Sequence, residues 1–427
     1  MGDEAGTALT TGDSNIAIGF EALKTEDANS FNVAIGHQAL KVNNGGDANV
    51  AIGYQALTAN TTANNNVAVG NGALAANTTG ALNVAVGAAT GESMTTGEQN
   101  VLIGALAGDA LTDADDNVAI GYQALTADVR GANNVAVGHS ALAAQNFSTE
   151  TNSYNVAVGS QAGAAVTTGI QNTLMGGFAG DALTDADKNV AIGYRALSND
   201  TLGSKSVSIG NFTLATQNFT TATDSFNTAV GHGAGESVTT GVQNTLLGAL
   251  AGDAVTTGTE SVALGSNSLS ANTEGTANTA LGAYALRNDT LGSRSVAVGH
   301  QALNTQNFTT ATSAYNVAVG ANAGVSVTTG VRNTLIGGLS GDALTDADGN
   351  VAVGYNALTA DTLGSLSVAI GRSALEAQNF TTATNSLNVA IGYNAGAAVT
   401  TGIQNTLLGG LAGDALTDAD FNVRSGS

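Results

Sequence analysis

The chain has 427 residues with 57 glycines, no proline, no cysteine and no tryptophan, and its formal net charge is −22. This acidic balance argues against a nucleic-acid partner, because binding to phosphates relies on clustered Lys and Arg. No apolar run approaches the roughly 20 residues that span a bilayer, so we expect no membrane insertion.

A five-residue phrase, Asn-(Val/Thr)-Ala-(Ile/Val)-Gly, recurs along the whole chain. Its glycine returns every 17 residues at most steps, and after 21 residues before Gly159, Gly231, Gly320 and Gly392. A fixed short period is the signature of a solenoid, in which each repeat is one coil. The sequence therefore predicts an all-β fold: a parallel β-solenoid of about 24 coils that runs through residues 1–427 as one continuous domain.

The repeat also predicts the shape of the assembly. Parallel strands stack at roughly 4.8 Å, so the coils would form a rod about 110 Å long. Gly2 and Gly426 continue the 17-residue spacing, and neither end carries a recognisable cap. An uncapped edge invites pairing, so we expect end-to-end contacts or a segment of a longer fibre.

Each coil is numbered from its repeat glycine as position 0. The apolar residues at positions −3 and −1, such as Val50 and Ile52, predict a short strand with one buried face. The Ala between them, as at Ala51, Ala119 and Ala191, is then expected to face outwards. A continuous outward row of Ala would leave an apolar stripe in water, which predicts burial against other chains in a homotrimer.

Two positions of the phrase have structural interpretations. The Asn at position −4 predicts a ladder of hydrogen bonds along the stack, and the glycine predicts a bend or a close backbone approach. After the glycine, one coil type places Leu at position +4, whereas the other has an Ala-Gly pair there and an apolar residue at +7. A Leu-rich strand follows each of the coils zeroed at Gly87, Gly159, Gly231, Gly320 and Gly392, and we interpret this Leu band as a lock against a neighbouring chain.

At this point the phrases Ser-Val-Ala-Ile-Gly (367–371), Ser-Val-Ala-Val-Gly (295–299) and Ser-Val-Ala-Leu-Gly (261–265) resemble the head repeats of the YadA-like trimeric autotransporter adhesins. The Gly-Tyr-Gln-Ala-Leu-Thr and Asn-Thr-Thr-Gly phrasing is similar to repeats in tail fibres and virion proteins of marine and cyanobacterial phages. The resemblance implies a left-handed β-roll, three chains around one axis with the repeat strand near it, and attachment to surfaces. The chain departs from the adhesins in its longer repeat and in lacking their coiled-coil stalk and anchoring barrel.

A first candidate site is the motif Asp-Ala-Asp-x-Asn, whose alternate oxygen ligands resemble the start of a calcium loop. The later glycine and glutamate of such a loop are absent, so a solvated acidic turn is the alternative. The candidate calcium ligands are Asp113, Asp115, Asp185, Asp187, Asp346, Asp348, Asp418 and Asp420.

A second candidate is the four-residue insertion of the 21-residue coils, which carries a Gln-Asn-Phe triplet and then a Thr-rich stretch. Long loops on a solenoid project from one face, and aromatic rings beside Asn and Thr can stack on sugars. The alternative is that each ring packs over the end of its widened coil. The candidate receptor-binding residues are Phe147, Phe219, Phe308 and Phe380.

Histidines are the third feature, and all four follow the repeat glycine directly: His37, His139, His232 and His300. Tyr, Asn, Ala and Ser occupy the same position in other coils, so a variable surface position is the favoured interpretation. No set of nucleophile, base and orienting group can be assembled from the sequence.

The sequence-level hypothesis is therefore a non-enzymatic, extracellular structural fibre or adhesin rod, on a virion, that forms a host-binding face for a cell-surface glycan or protein. The alternative owner is a bacterial trimeric adhesin on a cell surface. Two minor alternatives are an ice-binding solenoid and a polysaccharide-cleaving solenoid enzyme. No cofactor is expected, apart from the calcium considered above.

Overall fold

The computed structural model describes residues 2–426, which consist of short strands and turns with no helix. These residues form two compact units: unit 1 comprises residues 2–211 and 218–224, and unit 2 comprises residues 212–217 and 225–426. Each unit is a parallel β-solenoid, and together they contain about 24 turns with a 17-residue repeat. The all-β solenoid prediction is confirmed. Among these residues there is also no helix able to cross a membrane.

Every turn contributes one three-residue strand that ends at the residue before the repeat glycine. In unit 1 these strands are Ile16–Ile18, Val33–Ile35, Val50–Ile52, Val67–Val69, Val84–Val86, Val101–Ile103, Val118–Ile120, Val135–Val137, Val156–Val158, Thr173–Met175, Val190–Ile192 and Val207–Ile209. In unit 2 they are Thr228–Val230, Thr245–Leu247, Val262–Leu264, Thr279–Leu281, Val296–Val298, Val317–Val319, Thr334–Ile336, Val351–Val353, Val368–Ile370, Val389–Ile391, Thr406–Leu408 and Val423–Ser425.

Successive strands within a unit pair in parallel with like positions opposite each other. Val33 lies opposite Val50, Ala34 opposite Ala51 and Ile35 opposite Ile52. Two-residue strands also occur where a 21-residue coil follows a 17-residue coil. They pair as Gly131–Ala132 with Thr151–Asn152, Gly203–Ser204 with Thr223–Asp224, Gly292–Ser293 with Thr312–Ser313, and Gly364–Ser365 with Thr384–Asn385.

The strand faces are the reverse of the sequence-based prediction. Ala51, Ala119 and Ala191 are fully buried inside their coils, whereas the flanking Val and Ile side chains are partly exposed. The prediction was wrong because both faces of the strand are apolar, so hydrophobicity alone could not orient it. The narrow interior admits the methyl group of Ala, and the larger β-branched side chains must lie outside.

The Leu band is likewise internal, and its interpretation as a lock against another chain was wrong. Leu102 occupies the buried Ala position of its strand and is fully buried. A Cβ atom added to Gly91 or to Gly108 would meet Leu102 side-chain atoms at 2.8 and 3.0 Å respectively. Thus the glycine at position +4 of two successive coils makes the room that this larger side chain fills. The other buried Leu residues at the same position are Leu174, Leu246, Leu335 and Leu407.

The repeat glycine is required by close stacking, as predicted. Gly248 has a φ of 134°, which is rarely adopted by residues with side chains. A Cβ atom at Gly248 would also lie 2.7 Å from the carbonyl carbon and oxygen of Gly265 in the next coil. Left-handed backbone also recurs at positions that carry side chains, such as Gln38 and Leu40 with φ of 56° and 51°. No feature of the sequence predicted a left-handed backbone at Leu.

The predicted Asn ladder is confirmed. Asn49 donates its backbone N–H to Asn32 Oδ1 at 2.9 Å, and Asn66 donates to Asn49 Oδ1 at 3.0 Å. The side-chain amide then donates across the coil, as from Asn49 Nδ2 to the carbonyl oxygen of Ala63 at 2.8 Å. Asn49 thereby has both its oxygen and its nitrogen satisfied, and the repeated pattern gives each run of ladder asparagines a fixed direction.

Candidate interaction surfaces

The outer face of each solenoid sheet is apolar. Its two rows are the side chains at positions −3 and −1, which we call the outer rows. Most outer-row side chains are partly exposed, and several exceed one third exposure, including Val86, Ile103, Met175, Leu264 and Ile336. Because successive strands are in register, each row is an unbroken line of Val, Ile, Leu, Met or Thr except at Val423–Ser425, whose last residue is Ser.

The size of this face lies at the upper end of what monomeric proteins expose to water. Twelve stacked strands extend roughly 50 Å, and two side-chain rows give each unit a strip of roughly 600 Å². The largest apolar patch of a monomeric protein is about 300–600 Å² and is often functional. A standard interface buries about 800 Å² on each partner. The outer rows of one unit thus approach the area of a protein–protein interface.

Exposed rings lie at position +1. Phe20, His37 and Tyr54 stand on successive coils and stack with centroid separations of 5.1 and 5.2 Å. His139 stacks on Tyr122 at 5.6 Å. All four histidines are exposed, which agrees with a variable surface position. Stacked rings present their edges to solvent, so the inner rings of this row offer no free face for a sugar.

The aromatic rings of the insertions do not project, which agrees with the alternative that each ring packs over its coil and not with the receptor-binding interpretation. Phe147, Phe219, Phe308 and Phe380 are only 5–7% exposed. Each insertion pairs its two-residue strand with the preceding coil, and a Cβ atom added to Gly203 of that coil would meet Phe219 Cδ2 at 2.7 Å, so the ring lies against the coil and is removed from any ligand. The exposed residues of each insertion are the Asn before the ring and the stretch that follows it, at residues 148–150, 220–222, 309–311 and 381–383.

A buried carboxylate holds each insertion to the preceding coil, and sequence reasoning missed it. Asp289 Oδ1 accepts the N–H groups of Gly292 and Phe308 at 3.0 and 3.3 Å, and Asp289 Oδ2 accepts from Gln306 Nε2 at 2.6 Å. We call such a pair the Asp–Gln clip. Asp361 with Gln378 and Asp128 with Gln145 repeat it at 2.5 and 2.6 Å. Asp200 receives the equivalent bonds from Gly203 and Phe219.

The clip aspartates are fully buried. Desolvation raises the pKa of Asp289 and of Asp361, and the hydrogen bonds from Gln and from backbone N–H groups oppose that rise. A signal was present in the sequence: Asp-x-x-Gly begins at position +7 in each coil that precedes an insertion. Its partner Gln occupies the same position one coil later.

The acidic turns do not assemble a metal site. Asp115, Asp187, Asp348 and Asp420 each accept a backbone N–H of the preceding coil at 2.7–2.8 Å. Asp113 pairs with Arg130, and Asp185 accepts from the Thr168 hydroxyl at 2.6 Å. Asp346 and Asp418 also accept from Thr hydroxyls.

The third proposed ligand in these turns is also engaged. Asn117 is buried in the Asn ladder, where its Oδ1 accepts from the N–H of Asn134 at 3.0 Å. Across residues 2–426, no three His, Cys, Asp or Glu side chains lie together so as to hold a metal ion. The geometry therefore assigns the eight aspartates to hydrogen bonds between and within coils.

The described residues thus offer an apolar sheet face, exposed insertions and acidic turns, each repeated within both units. When the chain is compared with known proteins, no protein-family model matches it, and no curated protein is similar enough to count as a relative.

Proposed function

We propose that the chain is a non-enzymatic structural rod that self-associates through its outer rows into a homotrimer and serves as part of a surface fibre. The observation that carries this proposal is the continuous, largely apolar strip of Val, Ile, Leu, Met and Thr on the outer sheet face. Covering such a strip with identical strips contributes hydrophobic stabilisation of about 25 cal/mol per Å² buried.

Three-fold symmetry suits this strip better than an open contact. Like positions lie opposite each other along each unit, so chains in parallel around an axis would bring like rows together at every level. A closed assembly also leaves no further copy of the strip exposed. The acidic turns and the polar insertions would stay on the outside, where net negative charge favours solubility.

We place this fibre on a virion, with the surface of a bacterial cell as the alternative. In either setting the repeated rod would display its insertions many times, which supports attachment by avidity to a host glycan or protein. Immunogold labelling of native particles and cells with an antibody against the chain would test the location. Label confined to a soluble cell fraction would contradict a surface fibre.

The test of assembly uses two neighbouring strand positions that face opposite ways. The outer triple variant is Ile52→Glu, Ile120→Glu and Ile192→Glu. We expect light scattering to give about 125 kDa for the wild type, three times the 41.7 kDa chain, and about 42 kDa for the outer triple. Circular dichroism at low temperature should retain the β-sheet signal of that variant, and its melting temperature should fall well below that of the wild type.

Two controls separate assembly from folding. The inner triple, Ala51→Glu, Ala119→Glu and Ala191→Glu, places charge in the coil interior, so we expect loss of the β-sheet signal itself. The surface triple, Thr62→Glu, Thr96→Glu and Thr240→Glu, adds the same charge at exposed positions and should stay trimeric. An outer triple that remained trimeric with unchanged melting would overturn the proposal.

A further inference from the structure

The insertions contain a chemical feature apart from their rings. Each one reads Asn-Phe-(Ser/Thr), which is the acceptor triplet Asn-x-Ser/Thr for sugar transfer to an asparagine side chain. The four asparagines share position +8 of their coils and are all exposed: Asn146, Asn218, Asn307 and Asn379. In a chain rich in Asn and Thr a lone triplet carries little information, whereas the exposure and orientation of its Asn distinguish one triplet from another.

The buried ring orients the triplet. Phe308 is 5% exposed, whereas Asn307 and Thr309 on either side of it are exposed. The amide of Asn307 and the hydroxyl of Thr309, the two groups that define the triplet, are therefore both accessible to an enzyme.

In three of the four triplets, all except the one at Asn146, the amide is also held with its nitrogen available. Asn307 Oδ1 accepts a hydrogen bond from the Thr290 hydroxyl of the preceding coil at 2.8 Å, while the Asn307 backbone N–H donates to the carbonyl of Thr328 at 3.0 Å. Thr201 and Thr362 hold Asn218 and Asn379 in the same way, both at 3.1 Å. Fixing the oxygen towards the coil directs Nδ2 away from it.

The same chain contains acceptor triplets with the opposite geometry. Asn60-Thr61-Thr62 and Asn77-Thr78-Thr79 match the triplet, but both asparagines are fully buried. Asn60 Nδ2 donates to Asn43 Oδ1 at 2.7 Å and to the Ala63 carbonyl at 3.2 Å, so its nitrogen is committed to the interior. These two sites are internal controls for exposure.

We propose that Asn146, Asn218, Asn307 and Asn379 are N-glycosylation sites, modified by a glycosyltransferase that uses an activated sugar diphosphate. Nδ2 forms a bond to the anomeric carbon, the bond from that carbon to the diphosphate oxygen breaks, and the diphosphate leaves as the amide loses one proton. The donor is a nucleotide sugar or a lipid-linked oligosaccharide. The inference does not depend on trimer formation.

The test is peptide mass spectrometry of the chain isolated from its native source. We expect sugar mass on the four insertion asparagines and none on Asn60 or Asn77. A single hexose would indicate a nucleotide-sugar donor, and a longer oligosaccharide would indicate a lipid-linked donor. Four unmodified insertion asparagines, or sugar only on the Thr hydroxyls, would overturn the proposal.

A second arm measures acceptor competence directly. The folded recombinant chain is incubated with a transferase that recognises Asn-x-Ser/Thr and with UDP-glucose, and each site is quantified over time. We expect at least tenfold faster transfer at Asn307 than at Asn60. Thr309→Ala should abolish transfer at Asn307 alone, whereas Thr309→Ser should retain it. Equal rates at Asn307 and Asn60, or transfer unaffected by Thr309→Ala, would contradict the assignment.

Discussion

The Asp–Gln clip makes a sharp prediction because the Asn ladder fixes the direction of its hydrogen bonds. Asn316 Nδ2 donates to Gln306 Oε1 at 2.8 Å and to the carbonyl of Gly330 at 2.7 Å. Gln306 must then present its Nε2 donor to position 289, where an acceptor is required. Asp289→Asn places a second donor there, because its Oδ1 is needed by the N–H groups of Gly292 and Phe308.

The expected loss of stability in Asp289→Asn follows from one buried contact, in which two hydrogen-bond donors face each other. Leaving a buried donor unsatisfied costs about 1–3 kcal/mol, and replacing a buried charge by an amide offsets part of that cost. Gln306→Glu alone sets two carboxylates against each other and should be worse than Asp289→Asn. In the double variant Asp289→Asn, Gln306→Glu, the new amide at position 289 donates to the new carboxylate at position 306. That carboxylate still accepts from Asn316 Nδ2, so each donor again faces an acceptor. We expect a favourable coupling of about 1–3 kcal/mol, or roughly 5- to 150-fold in local opening.

Amide hydrogen exchange at Gly292 and Phe308 measures this effect without assuming that the whole repeat unfolds in one step. Exchange should accelerate in each single variant and slow again in the double variant. The Asp361–Gln378 clip of the same unit is unchanged and provides a matched internal control. If exchange in the double variant were accelerated by the sum of the two single-variant effects, positions 289 and 306 would not be coupled. The Asn ladder would then not set the direction of the hydrogen bonds in the clip, which would refute the prediction.

Two further predictions concern the same insertions. Because burial raises the pKa of Asp289 and Asp361, folding favours their protonated forms, and this contribution to stability is lost as pH rises from the usual value of 3.8 through the raised folded pKa. Denaturation of the Asp289→Asn, Asp361→Asn variant should therefore show a shallower decline in stability over that window, and an unchanged slope would contradict the assignment. Phe308→Ser should destabilise its insertion by about 3 kcal/mol, as expected for loss of a buried ring. Faster exchange confined to residues 306–313 would support this, and wild-type exchange would show that the ring is dispensable.

Much of the fold was readable from spacing. The repeat glycine, the three-residue strand and the Asn ladder each follow from residues that recur at one position, and the pairing of Asn49 with Asn32 and Asn66 confirms the ladder. Such features are local to one coil and its neighbours, so a single period determines them. The buried Leu band was harder to predict from the sequence. The interior has room for the Leu102 side chain only because two neighbouring coils carry glycine, at Gly91 and Gly108.

The candidate sites were less predictable for a different reason. Exposure of an aromatic residue in an insertion depends on whether the inserted backbone loops out or folds back, and composition does not decide between these. Phe308 is buried because Asp289 receives its N–H and that of Gly292, which ties the insertion to the coil below. The acidic turns resembled calcium ligands because the same residue types, Asp and Asn, supply both the oxygen atoms that bind calcium and those that accept a backbone N–H.

The reversed strand has a consequence for stability that links fold and assembly. A buried Ala methyl removes little apolar surface from water, whereas a buried Val, Leu or Ile contributes about 1.5–3 kcal/mol. In this solenoid the strand gives Ala51 to the interior of the coil and leaves Val50 and Ile52 partly exposed. Much of the apolar surface that the strands carry thus remains available after the single chain has folded. We infer that association through the outer rows would supply a large share of the hydrophobic stabilisation, so that separation of the chains and melting of the coils should occur together. A dissociation midpoint well below the melting temperature, at any protein concentration, would show that the single-chain core is sufficient.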